Sequence, residues 1–198
     1  MHWLRNIAVV SGALLLSGCG NSSYNWGWYV VSPITSQGQT NLKFLLSGLG
    51  YTISLSLIAI VISVLVGLAV ALPGLAKNRT GRIFNRLYVE TFRSIPPLVM
   101  ILWIYYGLPV LLNIDIDVFA SGILALALCD SAFEAEIFRA GIQSIHRGQH
   151  EAADSIGLNY FNKMRYIILP QAIRRILPPL GNQFVYMLKM SSLVSVIG

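Results

Sequence analysis

The chain has 198 residues, of which 55% are hydrophobic and 11% charged, with a mean hydropathy of +0.65 and a formal net charge of +6. Soluble domains carry about 25% charged residues, so the composition argues against a soluble globular domain, and equally against a disordered chain, a nucleic-acid binder or a disulfide scaffold. The excess of Lys and Arg is read first as a membrane-topology signal, and two cysteines, Cys19 and Cys129, do not set a redox compartment by count.

The chain begins with Arg5, an apolar run from Ile7 to Leu16, and Leu16-Ser17-Gly18-Cys19 before a polar stretch. A crossing helix needs about 20 apolar residues, so residues 1–19 are expected to be a lipoprotein-like signal with Cys19 as the lipidated thiol. The alternative is an uncleaved anchor with an ordinary cysteine. Residues 20–41 read as an extracytoplasmic linker without Asp, Glu, Lys or Arg, in which Tyr24, Trp26, Trp28 and Tyr29 favour a membrane interface. Residues 42–72 are predicted to form a transmembrane helix with a packed face of small residues, Ser47, Gly48, Gly50, Thr52, Ser54, Ser56, Ser63 and Gly67. Further spans are predicted at about 97–112, 118–138 and 176–198, with proline kinks at Pro96, Pro97, Pro109, Pro178 and Pro179 that need protein or a cavity around them. The fold class is therefore an all-α, polytopic transmembrane helix bundle.

Lys77, Arg79, Arg82 and Arg86 follow the first span, and Arg147, Lys163, Arg165, Arg174 and Arg175 lie between the third and fourth, whereas the loop between the second and third holds only Asp115 and Asp117. Basic loops stay in the cytoplasm, so the mature N-terminus is expected outside, where a lipid on Cys19 would also be.

Residues 144–171 are too long for a turn and too patterned for a linker. The spacing predicts one amphipathic helix around 148–156, stopped by Gly157, and a second capped by Asn159 and ending before Pro170. Glu151 near the first helix start suits the helix dipole, and Ala152 and Ala153 leave a flat surface for another protein. Glu151-Ala152-Ala153, Gly157 and Ile167-Ile168-Leu169-Pro170 resemble, at every position, the EAA signature of the membrane subunits of bacterial ATP-binding-cassette importers. Phe92-Arg93-Ser94-Ile95-Pro96-Pro97, Tyr105-Tyr106-Gly107-Leu108-Pro109, Glu136-Ile137-Phe138-Arg139 and Pro178-Pro179-Leu180-Gly181-Asn182-Gln183 resemble the branch that imports polar amino acids of the histidine, glutamine or arginine type. The resemblance covers residues 41–198.

That resemblance implies a permease subunit of the cytoplasmic (inner) membrane, paired with a second permease subunit, the same or homologous. It implies two ATPase subunits docked on the segment containing Glu151, Ala152, Ala153, Gly157, Ile167, Leu169 and Pro170, and an extracytoplasmic binding protein that delivers substrate. ATP and Mg would be held by the partner ATPase, with no cofactor on this chain. The chain departs from the family in its lipoprotein-like start and in Met190, where an aspartate commonly follows the lysine. The family also usually continues into a further transmembrane helix after Gly198, so the chain reads as truncated.

Asp130 and Glu134, four apart and on one helical face, are candidates to meet the amino group or cationic side chain of a substrate, with pairing to Lys189 or to a partner subunit left open. Glu136 and Arg139 are spaced to pair with each other. Glu90 and Arg93 are carried as path residues, with a local ion pair as the alternative. No G-x-x-x-x-G-K-[ST] loop is present, so the chain is not expected to hydrolyse ATP. His146-Arg-Gly-Gln-His150 lacks the glutamate of a zinc protease, and Ser131 has no positioned base. The function expected is permease for a polar amino acid. The alternatives are a lipid-anchored scaffold without transport and a same-superfamily permease for another small solute. Neither the amino acid nor the choice between a permease homodimer and heterodimer follows from the sequence.

Overall fold

The computed structural model describes residues 27–76 and 78–198, and every regular element among them is helical. The lipoprotein-like segment 1–19 with Cys19, and the start of the linker, lie outside the described residues. Two units are distinguished, one ending at Ser47 and one formed by Gly48–Gly198. In the first, a 3-10 turn at Trp28–Val31 is tied to the helix that follows by Asn41 Nδ2, which donates to the Val30 carbonyl at 2.8 Å.

That helix, α1, runs Ser36–Leu75, and its 40 residues span about 60 Å at the α-helical rise. Only part of it is needed to cross a bilayer core of about 30 Å. Within the second unit it has two faces. Leu57, Val61, Leu65 and Leu72 are exposed, the pattern of a lipid-facing stripe, while Ser56, Ala59, Ser63 and Ala71 are completely buried. In lipid no hydrophobic force drives helices together, so close approach of backbones must supply the contact energy. The small residues at 56, 59, 63 and 67 supply that approach. Gly48 and Gly50, by contrast, face open space.

Asn78 caps α2 (Arg79–Ser94), its side chain accepting from the Thr80 amide at 3.0 Å. Ile95 is extended, as a residue before proline must be, and Pro97 starts α3 (Pro97–Leu102). The chain bends by 96° there. After a π-helical turn at Trp103–Gly107 comes α4 (Leu108–Leu112), ended by Asn113 in the left-handed region at φ 52°. The span expected at 97–112 is thus built of three short pieces, and 79–112 amounts to one span only as a bent pair.

Asp117 caps α5 (Val118–Gln143), accepting from the Phe119 and Ala120 amides at 3.2 and 3.4 Å. This helix is the axis of the second unit. It packs against α2, against α3 and against α8, and it contributes to both apolar clusters. One cluster gathers Leu55, Ile101, Ile104, Leu126 and Met187, and the other Val70, Phe138, Ile168, Ala172 and Ile176. Gly141 admits Ile176, since a Cβ at 141 would lie 2.2 Å from its Cγ1.

The polar segment forms α6 (Arg147–Ser155) and α7 (Tyr160–Lys163), and a π-helical turn at Met164–Ile168 leads into α8 (Leu169–Met190). The second helix was expected to end before Pro170, and here the structure corrects the sequence reading. The helix continues because Pro170 lies in the first turn after the π turn, where the widened ladder absorbs the missing donor and the ring. Pro109 stands in the same relation to Trp103–Gly107, so both Leu-Pro pairs directly follow a π turn. Pro178 and Pro179 lie inside α8 without ending it; the span expected at 176–198 is corrected, since this helix starts at Leu169, ends at Met190, and with its charged and polar residues is not among the helices long and apolar enough to cross a membrane. A 3-10 helix, Ser191–Val196, follows.

Candidate functional site

Two places gather the residues singled out in the sequence, and the first is inside the bundle. Asp130 is 3% exposed and Glu134 fully buried, one turn apart on α5. The close approach of Gly67 on α1 puts Ser63 beside them, and Ser63 Oγ donates to Asp130 Oδ2 at 3.2 Å. From α8, Gln183 Nε2 donates to Asp130 Oδ1. Beside this group the Tyr88 hydroxyl of α2 hydrogen-bonds Ser131 at 2.8 Å. A buried charge is costly in a membrane unless answered by polar partners, and Asp130 has two. Glu134 differs: neither carboxyl oxygen makes a hydrogen bond of ordinary geometry among the described residues, although Ser63 and Asp130 stand close enough to act on it electrostatically. A buried carboxyl in this state is open to a cationic group or a proton. Asp130 also borders a narrow cleft lined by Pro97, Phe133, Tyr186 and Met190.

Lys189, considered as a partner for these carboxyls, is exposed on α8 and makes no ion pair among the described residues. The residues that do answer Asp130, Ser63 and Gln183, were legible only as a small packing residue and as part of a motif run. Neither Glu90 nor Arg93 pairs with Asp130 or Glu134 among the described residues, and the local ion pair expected between Glu90 and Arg93 is corrected by the structure. Glu90 faces Arg86 at 3.9 Å, the neighbour one turn back, while the Arg93 guanidinium sits 4.9 Å from the centre of the Phe133 ring, whose negative face attracts it. Glu136 and Arg139 pair as their spacing predicted.

The second place is the polar segment between α5 and α8. His146 Nδ1 accepts from the Gly148 amide at 3.1 Å and caps α6, and Arg147 pairs with Glu151 at 2.8 Å. Gly157, at φ +76°, ends α6 in a Schellman motif: its amide donates to Asp154 O at 3.0 Å, and the Leu158 amide to Ala153 O at 3.1 Å. Asn159 Oδ1 then accepts from the Asn162 amide at 2.9 Å and starts α7. Lys163 Nζ reaches back to Asp154 at 2.6 Å, and Gln171 of α8 reaches Gln149 at 3.1 Å, so α6, α7 and the start of α8 are held as one piece.

Ala153 and Ile168 are buried within that piece, whereas Glu151, Ala152, Gly157, Leu169 and Pro170 are exposed and Ile167 is half-buried. Apolar side chains not singled out in the sequence stand out from it, Tyr166 at 62% exposure and, around the Gly157 turn, Ile156 at 73%, Tyr160 at 75% and Phe161 at 66%. The position of the last three on either side of the Gly157 turn was the available signal. Exposed apolar side chains clustered on a polar element mark an interaction surface.

A family model described as the binding-protein-dependent transport system inner membrane component matches residues 63–198. The chain is 41% identical over 157 residues to the "Probable glutamine ABC transporter permease protein GlnM" of Bacillus subtilis, covering 79% of this chain and 72% of that protein. Over a stretch of the same length and shares it is 34% identical to the "Arginine transport system permease protein ArtQ" of the same organism. Among solved structures it is similar to a chain described as "Crystal structure of an amino acid ABC transporter with histidines", with a TM-score of 0.75, 43% identity, and coverage of 83% of this chain and 78% of that one.

Proposed function

The chain belongs to the family of binding-protein-dependent transport system inner membrane components, and from that premise we propose that it carries a polar amino acid of the glutamine, arginine or histidine type. As a family member it is an inner-membrane transport subunit rather than an enzyme, with ATP hydrolysis on a separate ATPase chain. The amino-acid cargo is supported by the names of its relatives and of the similar solved structure.

In this reading ATP and Mg sit on the ATPase, a second permease subunit completes the path, and a binding protein delivers substrate from outside. Glu151, Ala152, Ala153, Gly157, Ile167, Leu169 and Pro170 form the EAA segment that meets the ATPase, joined by the exposed Ile156, Tyr160 and Phe161. The observation that carries the docking role is the cross-tied α6–α7–α8 piece: a surface pinned to α8 by hydrogen bonds and continuous backbone transmits a push into the bundle. Asp130 and Glu134, from the buried site, are the path residues offered to a substrate ammonium group. The clustering of basic residues in these segments supports a cytoplasmic position for this piece and a mature N-terminus outside, where Cys19 would be lipidated.

The test is uptake of labelled glutamine, arginine and histidine in cells lacking the chain, then restored with wild type or with Gly157→Asp. Rescue of one substrate by wild type and not by the variant, at equal membrane levels, is the expected result. No change for any of the three, with ATPase and binding protein present, would overturn the amino-acid reading.

A further inference from the structure

We propose that the cleft between α2 and α5 holds the phosphate group of an anionic phospholipid. The cleft has a volume of about 470 Å3, and its charged lining comes from Arg82, Arg86, Glu90 and Arg93 on α2 and Glu136 and Arg139 on α5, with the amides of Asn85 and Gln143 beside them. Four guanidinium groups therefore face two carboxylates. Both carboxylates are already used, Glu90 by Arg86 and Glu136 by Arg139. Arg82 and Arg93 have no carboxylate within 4.0 Å among the described residues, and Arg93 has only the Phe133 ring. Nε of Arg139 is buried without a hydrogen-bond acceptor among the described residues. The cleft thus has a surplus of two positive charges and an unanswered donor, and guanidinium groups match the oxygens of a phosphate in paired, charge-assisted hydrogen bonds.

A phosphate could arrive free or as part of a lipid, and the surroundings favour the lipid. Ile83, Phe84 and Leu87, on the same helix as the arginines, are 48%, 55% and 60% exposed. A basic helix with exposed apolar side chains lies in the membrane interface with acyl chains against its apolar side. Basic pockets between helices on the cytoplasmic side are suited to anionic headgroups, and that side is where the topology reading puts α2. The inference rests on that orientation but not on the cargo. Its test reads lipid binding rather than uptake, so the two can fail separately.

The experiment takes the assembled transporter, purified with its ATPase, and titrates it with cardiolipin, counting retained lipid by native mass spectrometry. Arg82→Gln and Arg93→Gln are each expected to weaken cardiolipin retention by about tenfold, the scale of losing one charge-assisted contact. Arg82 is exposed and its side chain has no partner among the described residues, so its variant serves if loss of the Arg93–Phe133 contact disturbs folding. Arg79→Gln removes the same charge from the same helix outside the cleft, and retention should be unchanged. Excess inorganic phosphate should fail to displace the lipid. Equal retention by wild type and both cleft variants would overturn the proposal, as would an equal loss from Arg79→Gln. Displacement by inorganic phosphate would overturn the lipid in favour of a free anion.

Discussion

Gly67 of α1 and Glu134 of α5 are in direct backbone-to-side-chain contact: a Cβ at position 67 would lie 2.9 Å from the Glu134 Cβ and 2.9 Å from the Ser131 carbonyl oxygen. Because one of those atoms belongs to the backbone, no side-chain rotation relieves the clash. Gly67→Ala is expected to push α1 from α5 and Gly67→Leu to do so more strongly. The cost is about 1–3 kcal/mol, the range for overpacking a close contact. It is checked as a lowered thermal midpoint of the detergent-solubilised transporter, while Gly48→Ala, in open space inside the same helix, does not lower it.

Gln183 brings α8 to Asp130. Replacing it with leucine leaves Asp130 with Ser63 as its hydrogen-bond donor, and the loss is expected at about 1–3 kcal/mol, as for a buried polar group deprived of a partner. Asp130→Asn with Gln183→Leu should cost less than the sum of the two changes, because the charge that needed Gln183 is gone. A double-mutant cycle of thermal stability reads the coupling, and strict additivity would refute it.

The turn between α6 and α7 depends on Gly157 at φ +76°. A side chain in the left-handed region costs roughly 1–2 kcal/mol, less for asparagine. Gly157→Val should therefore loosen the α6–α7 piece and reduce uptake strongly, with Gly157→Asn intermediate and membrane abundance unchanged for both. Uptake equal to wild type in the valine variant would separate this turn from coupling.

Tyr160 and Phe161 stand out from α7 with little of the bundle behind them. Tyr160→Ser and Phe161→Ser are expected to reduce recovery of the ATPase with the permease while leaving stability within about 0.5 kcal/mol of wild type, as for surface changes. Undiminished co-purification in both variants would move the docking contact away from these rings.

What could be read from the residues alone divides by the range of the interactions involved. The Gly157 stop and the Asn159 cap are local chemistry, in which a side chain and amides two or three residues away decide the outcome, and the structure has both. The Glu136–Arg139 pair is local in the same way. Glu90 had an arginine on each side at helical spacing, and only the position of the Phe133 ring on another helix assigns Arg93 elsewhere. Asp130 and Glu134 were visible as charges in an apolar run. Their neighbours Ser63 and Gln183 are 67 and 53 residues from Asp130, and no periodicity links such distant positions. The prolines misled for a different reason: Pro170 reads as a stop unless the ladder before it is already widened.

That widening has a mechanical consequence. A regular helix resists bending because tilting its axis stretches hydrogen bonds on the outer side of the bend. At Leu169–Pro170 the proline nitrogen has no hydrogen to lose, and the five residues before it are already off the α-helical register. Flexing the rod there sacrifices little bonding energy, and the same holds at Leu108–Pro109. The Leu108–Pro109 pair is therefore a soft joint between stiffer rods, whereas at Leu169–Pro170 the hydrogen bond from Gln171 to Gln149 bridges the joint, so that a push on α6 and α7 is carried into α8 rather than lost in bending.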